Sequence, residues 1–343
     1  MVRMSDIARR CGISRATVSA VLNNHHEKLG IKPETAEKVR ATAEKMGYFR
    51  NEMAVAIKTG QNAVIGCITV GLSSEWIARS VTGLLQTGQD EGYLIKIVNL
   101  ETCDGVLDAL RRLVRQRMAG IFCCNVNVNA ATGRAFRELC ARYEMPVVGV
   151  NCSESIGGGH FRSDDLQGME LAVGHLWKLG HRHIAHLTGD PESMTGPLRR
   201  DGFLQAMQRR GAAVPASWVV MGSYDPDIAE GSAERLLKRS KNLPTAILCA
   251  NDEVAVVTLR AARKLGLRVP QDLSVIGYSD MKSAQLADPP LTTIRQPFEK
   301  MGARGAAVLL DLIRKQSKKI PDVEWLLTKL VVRASTAAYT SSK

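Results

Sequence analysis

No apolar run in this 343-residue chain is long enough to span a membrane, and its first residues do not read as an export signal. None of the eight cysteines forms a Cys-x-x-Cys pair, which removes the usual zinc-knuckle and dithiol redox readings. There is no Gly-x-Ser-x-Gly elbow or comparable catalytic signature. Gly157-Gly158-Gly159 lacks the Lys-Ser/Thr of a P-loop and the strand-to-helix setting of a dinucleotide fingerprint, so it reads as a flexible loop. These absences lead us to expect a soluble, cytoplasmic protein that is not an enzyme and needs no cofactor and no metal.

What is present points elsewhere. With 45% hydrophobic residues and 23% charged ones the chain is a folded protein, long enough for two or three cores. Its formal net charge of +12 favours a polyanionic partner, and basic residues recur through the first sixty positions, from Arg3 to Lys58. Cys67, Cys123, Cys124 and Cys249 lie in apolar, strand-like runs and read as buried free thiols. Cys123 and Cys124, being adjacent on a strand, should face opposite ways and so cannot act as a redox pair. His181, His183 and His186 have no acidic or cysteine ligand close in sequence, and strand alternation should separate His186 from the other two.

The N-terminus carries the most specific pattern. A helical run from Ser5 to Cys11 is followed by a Gly12-Ile13 turn and a second run opening at Ser14. Ala8, Cys11, Ile13, Val18, Val21 and Leu22 would close the two helices around a small core, while Arg15, Thr17, Ser19 and Asn23 face outward. Pro33-Glu34 announces a third helix, with Ala36, Val39, Ala43 and Met46 on one face and Gly47 as its stop. Taken alone, the second helix reads equally as a capped, solvated helix or as one presented to a DNA major groove.

From residue 64 onward apolar strands alternate with amphipathic helices. Strands are expected at 64–70, 93–98, 120–124 and 146–150, and helices around 77–91, 106–116 and 134–143. After a loop at 153–160 a second series places strands near 184–187, 218–221, 245–249 and 273–277. Its first helix opens on a capping box, Asp164-x-x-Gln167, with Gly168 allowing close packing. Two such series give two parallel-sheet lobes with a cleft at the carboxyl ends of their strands.

Several motifs together resemble the lactose-repressor (LacI/GalR) family of bacterial transcription regulators. They are Asp6-Ile7-Ala8, Gly12-Ile13-Ser14, Thr17-Val18-Ser19, Leu22-Asn23, Pro33-Glu34-Thr35 and Gly47-Tyr48 in the N-terminal part. In the core they are Ser163-Asp164-Asp165, Leu179-Gly180-His181-Arg182, Asn251-Asp252, Pro289-Pro290-Leu291-Thr292-Thr293 and Leu330 to Thr336. The resemblance implies an all-α helix-turn-helix headpiece at 1–49, a hinge helix and linker at 50–62, and a periplasmic-binding-protein-like core at 63–340. Its N-lobe would take about 63–162 and 294–322, and its C-lobe about 163–293 and 323–340, with 291–296 and 325–333 crossing between them.

The same resemblance implies function. The chain would be an allosteric transcriptional regulator, expected to be a repressor, that binds a palindromic operator in double-stranded DNA as a homodimer. It would respond to a small-molecule effector, a sugar or sugar derivative. The alternative is a solute-binding protein without a DNA role. DNA contacts fall on Ser5, Ser14, Arg15, Ala16, Thr17, Ser19, Ala20, Asn23 and Thr35, and in the hinge on Asn51 and Ile57. Arg15, Ala16 and Ala20 occupy the base-choosing positions. Ala20 departs from the arginine common there, so base readout should rest on Arg15. Ile57 stands where the family usually has a leucine wedge, and Arg50 replaces the proline that commonly precedes Asn51. Effector contacts fall on Asn151, Arg199, Tyr224, Asn251, Asp252 and Ser279, although Asn251 and Asp252 also read as caps of the next helix. Sugar-binding relatives often have aspartate at the Ser279 position; Asp280 would replace it only in part, which leaves a phosphorylated or acidic effector open. After Ser335-Thr336 no heptad repeat follows, so a dimer and not a tetramer is expected.

Overall fold

Each lobe of the larger unit is a six-stranded sheet whose strands are drawn from distant parts of the chain. The computed structural model describes residues 2–23, 25–49, 62–238, 243–316 and 320–340, and the chain divides into two units, Met1–Asn62 and Ala63–Lys343. The hinge helix expected from the resemblance, with Asn51 and Ile57, lies outside the described residues.

The small unit holds three helices, α1 (Met4–Cys11), α2 (Arg15–Leu22) and α3 (Pro33–Lys45). Gly12 ends α1 in the left-handed region, at φ 72°, and two residues later the Ser14 hydroxyl accepts from the Thr17 amide at 3.0 Å to start α2. Pro33 sits in the first turn of α3, where its missing N–H costs nothing. The buried faces meet through Ile7, Ala8, Cys11, Val18, Val21, Ala36, Val39 and Ala43.

In the large unit the strands are β1 (Val64–Val70), β2 (Leu94–Leu100), β3 (Gly120–Cys124), β4 (Val147–Val150), β5 (Gly159–Ser163), β6 (Ile184–Thr188), β7 (Val219–Met221), β8 (Ala246–Cys249), β9 (Ser274–Ser279), β10 (Thr292–Arg295), β11 (Val323–Leu326) and β12 (Lys329–Val331). The first sheet runs β11-β5-β4-β3-β1-β2 and the second β12-β10-β9-β8-β6-β7. All neighbours are parallel except β10 and β12. Helices α4 (Glu75–Asp90), α5 (Val106–Arg115) and α6 (Ala130–Arg142) follow the first strands. Helices α7 (Asp165–Lys178), α8 (Thr195–Gln208), α9 (Pro226–Lys238), α10 (Asp252–Lys264), α11 (Lys282–Leu286) and α12 (Phe298–Ile313) complete the unit. Helices α4 and α12 approach at a glycine notch: a Cβ on Gly302 would stand 1.8 Å from the Ser80 carbonyl oxygen, and one on Gly83 2.0 Å from that of Glu299.

Three expectations are corrected. The loop expected at 153–160 runs into a fifth strand of the first sheet, β5, paired with β4 and β11. Its polar residues His160 and Arg162, both buried, disguise it. Second, β10 belongs to the C-lobe sheet and β11 to the N-lobe sheet. The chain therefore crosses after Gln296 and again near Thr328, a few residues later each time than expected. Third, only half of the capping box forms. Asp164 Oδ1 accepts from the Gln167 amide at 2.9 Å, but Gln167 Oε1 accepts from the amide and the hydroxyl of Thr328. The Asp164 amide instead donates to the Leu326 carbonyl at 2.8 Å, so the start of α7 is tied to the last crossing.

Candidate functional site: a headpiece face and an interlobe cleft

The outward face of the headpiece is built by the cap that starts α2. Ser14, Arg15 and Ala16 are exposed there, as is Ser5 on α1, while Thr17, Ser19, Asn23 and Thr35 are half-buried. The Asn23 amide is turned back onto its own helix, donating to the Ser19 carbonyl at 2.6 Å and to its hydroxyl at 3.1 Å. Ala20 is 8% exposed and stands one turn after Ala16 on α2. Arg15 is therefore the one long, charged donor that α2 offers outward.

In the large unit the carboxyl ends of both sheets face one cleft of about 890 Å³. All six residues expected to hold the effector line it, but they are differently committed. Arg199, on α8, is 4% exposed. Its Nε donates to Asp165 Oδ1 at 3.1 Å, Nη1 to the Ala250 carbonyl at 2.7 Å and Nη2 to Gln296 Oε1 at 3.2 Å. The guanidinium also lies 4.0 Å from the centre of the Tyr278 ring. Burial works against its charge, but Asp165 and the neighbouring tyrosines raise its pKa above the usual arginine value.

Asp252 is fully buried at the start of α10. Its Oδ1 accepts from Thr293 Oγ1 at 2.5 Å and its Oδ2 from the Met281 amide at 2.7 Å. Gly277 leaves room for it, since a Cβ there would stand 2.3 Å from Oδ1. Burial pushes the carboxyl up to about 6 against the pull of those two hydrogen bonds. Asp252 thus braces β9 and β10 with both oxygens engaged. Asn251 caps α10, its Oδ1 accepting from the Val254 amide at 2.8 Å. The Ser279 hydroxyl donates to Gln296 Oε1. Asp280, which was expected to stand in partly for an aspartate at that position, faces away: Arg295 Nε reaches it at 2.5 Å and Arg333 Nη2 at 2.6 Å. Tyr224 shares a 2.7 Å hydroxyl contact with Thr195, over the space left by Gly189.

Other lining residues were not anticipated. Asn125, Asn127 and Asn129 follow β3, Trp76 opens α4 and Phe298 opens α12. The two rings lie 5.9 Å apart. The asparagines carry the same signal as Asn151, a polar residue just past a strand end. Asn125 and Asn151 both hold left-handed backbone there, φ 59° and 49°, a conformation asparagine tolerates.

The cysteines form no site. Burial pushes the thiols of Cys140, Cys152 and Cys249 up to about 12, so they stay protonated. Cys123 and Cys124 pack into different core clusters on opposite faces of the sheet. Among the described residues no group of His, Cys, Asp and Glu is placed to hold a metal, and no helix is long and apolar enough to cross a membrane.

A helix-turn-helix headpiece and a two-lobed parallel-sheet core in one chain define a DNA-binding transcription regulator. Comparison with known proteins agrees. Residues 3–51 match the family model described as bacterial regulatory proteins, lacI family, and residues 173–336 match a periplasmic binding protein-like domain. The HTH-type transcriptional repressor PurR of Pectobacterium carotovorum is 30% identical over 352 residues, covering 98% of this chain and 97% of that protein. PurR of Serratia proteamaculans is 29% identical over 340 residues. Among solved structures, the lac repressor dimer bound to operator and the anti-inducer ONPF superposes with a TM-score of 0.85 at 28% identity, covering 98% of this chain and 99% of that one. The chain belongs to the LacI family of bacterial regulatory proteins. It is a DNA-binding transcriptional repressor of that family and not an enzyme.

Proposed function

We propose that the protein acts in the cytoplasm as a homodimer on a palindromic operator, and that a small polar molecule in the interlobe cleft, a sugar or sugar derivative, sets its affinity for that operator. The observation that carries this reading is the cleft itself. Polar side chains from the carboxyl ends of strands in both sheets converge on it beside the aromatic rings of Trp76, Tyr224 and Phe298, the combination that holds hydroxyls while covering an apolar sugar face. The lac repressor, a structural neighbour at 27% identity, has been solved bound to ONPG in its repressed state.

On the DNA side, Arg15 reads a base edge, a guanine in this proposal, with Ser5, Ser14, Thr17, Ser19, Asn23 and Thr35 placing the headpiece on phosphates. Asn51 and Ile57 supply the hinge contact, with Ile57 as a minor-groove wedge. Coupling arises if the ligand favours one relative orientation of the lobes, a bias of about 1–3 kcal/mol. The test is fluorescence anisotropy on selected operator DNA with Tyr224→Ala. Full operator affinity with a lost or weakened response to effector is expected. A response with the wild-type midpoint sinks the cleft assignment.

A further inference from the structure

The charge around the cleft says which form of a sugar it can take. Among the described residues that line it, Arg199 is the one cation, against the carboxylates of Glu75, Glu192, Asp252 and Glu253. Arg199 is already spent: Asp165 balances its charge inside the protein, and its other donors are aimed at the Ala250 carbonyl and Gln296. The nearby arginines are committed as well. Arg79 is bound to Glu299, and Arg295 and Arg333 are both held by Asp280.

Helix N-termini are the other source of positive potential, and those of α4, α6, α8, α10, α11 and α12 supply residues that line the cleft. Each is taken by the chain itself. Glu75 begins α4 and also accepts from the Lys282 amide at the start of α11, Asn129 caps α6, Ser193 Oγ accepts from the Gly196 amide in the first turn of α8, Asn251 caps α10 with Asp252 and Glu253 in its first turn, and Glu299 stands in the first turn of α12. Among the described lining residues a phosphate or carboxylate would find no free cation, and at the helix ends it would meet acceptors and carboxylates of the chain itself, besides two exposed carboxylates, Glu192 and Glu253.

The same arrangement suits hydroxyl groups. Asn129 and Asn251 accept at their own caps through Oδ1, which leaves their amide N–H groups as donors. Glu192 and Glu253 accept only. A hydroxyl both accepts and donates, so it can pair with an amide and a carboxylate at once. From this balance we infer that the cleft takes an uncharged, hydroxyl-rich ligand and turns away its phosphorylated or carboxylated counterpart, with Glu192 and Glu253 as the discriminating groups. The inference rests on reading the cleft as the effector site, and it closes the acidic effector that the sequence left open.

The experiment is titration calorimetry on the full chain at fixed low ionic strength with matched pairs. These are ribose and ribose 5-phosphate, glucose and glucose 6-phosphate, galactose and galacturonate, and adenosine and adenosine 5′-monophosphate. The neutral member of at least one pair binds, and its anionic counterpart binds at least ~30-fold more weakly. In Glu192→Gln/Glu253→Gln, a change of two exposed side chains that leaves the fold intact, the gap narrows to about threefold or less. An anionic member that binds as tightly as its neutral partner overturns the inference. So does a gap unchanged in the double variant, or a panel in which no neutral member binds. Failure of the underlying reading looks different: a neutral ligand whose binding is untouched by Tyr224→Ala sits outside the cleft.

Discussion

Arg199 and Asp165 show how a side chain expected to touch ligand also holds the protein together. Both are buried, and the guanidinium touches Asp165, Ala250, Gln296 and the Tyr278 ring. Arg199→Ala would leave the Asp165 carboxylate buried without its partner, which typically costs about 3–5 kcal/mol. We expect a clear loss of stability in urea titration; a variant with the wild-type midpoint would show that the pair contributes nothing. Loss of effector response in this variant would therefore say little about contact, which is why Tyr224 is the better probe. His186, buried in β6, gives a pH dependence. Burial lowers its pKa to about 4, against the hydrogen bond that its Nδ1–H donates to the Leu248 carbonyl, which would raise it. Its unfolded value lies near 6.5, so the native state disfavours the proton. The stabilisation is complete above pH 6.5 and is lost as pH falls toward 4, by up to roughly 3 kcal/mol. His186→Gln should flatten that slope in a series of thermal melts; an unchanged slope would remove His186 as its source.

At the level of elements, what could be read beforehand depended on whether an element's signal is local. The Ser14 cap, the proline start of α3 and the apolar runs of β1, β3 and β4 are local features, and all appear where expected. β5 was hidden because Gly159, His160, Arg162 and Ser163 become strand residues only once β4 and β11 flank them. Gln167 carried a local capping signal that a partner 161 residues away overrode. In the cleft, Asn151, Tyr224 and Asn251 were accessible from the rule that ligands meet strand ends, whereas the inward turn of Asp280 depended on Arg295 and Arg333, which no local pattern ties to it. The glycine notch between α4 and α12 yields a direct expectation. Gly302→Ala must push the two helices apart, because the obstruction is backbone and cannot rotate away, and should cost roughly 1–3 kcal/mol or more. A melting temperature equal to that of the unaltered protein would mean the helices are less tightly apposed than described.

For the molecule as a whole, two-fold assembly follows from the palindromic operator in the proposed function, since each protomer brings one headpiece. Sedimentation should show a dimer, and a stable tetramer would contradict that. The lobes themselves are not successive pieces of chain. The first sheet is completed by β11 and the second by β12, both from the last stretch of the core. This has a bearing on synthesis. As the chain leaves the ribosome at about 5–20 residues per second, the three headpiece helices can fold at once, while β5 must wait for Val323–Leu326 before its outer edge is covered. Nascent chains stalled short of Val323 should therefore carry a protease-resistant headpiece and a core that is still cleaved readily, with protection of both lobes arriving together; a core already resistant at that length would mean the sheets close without their final strands.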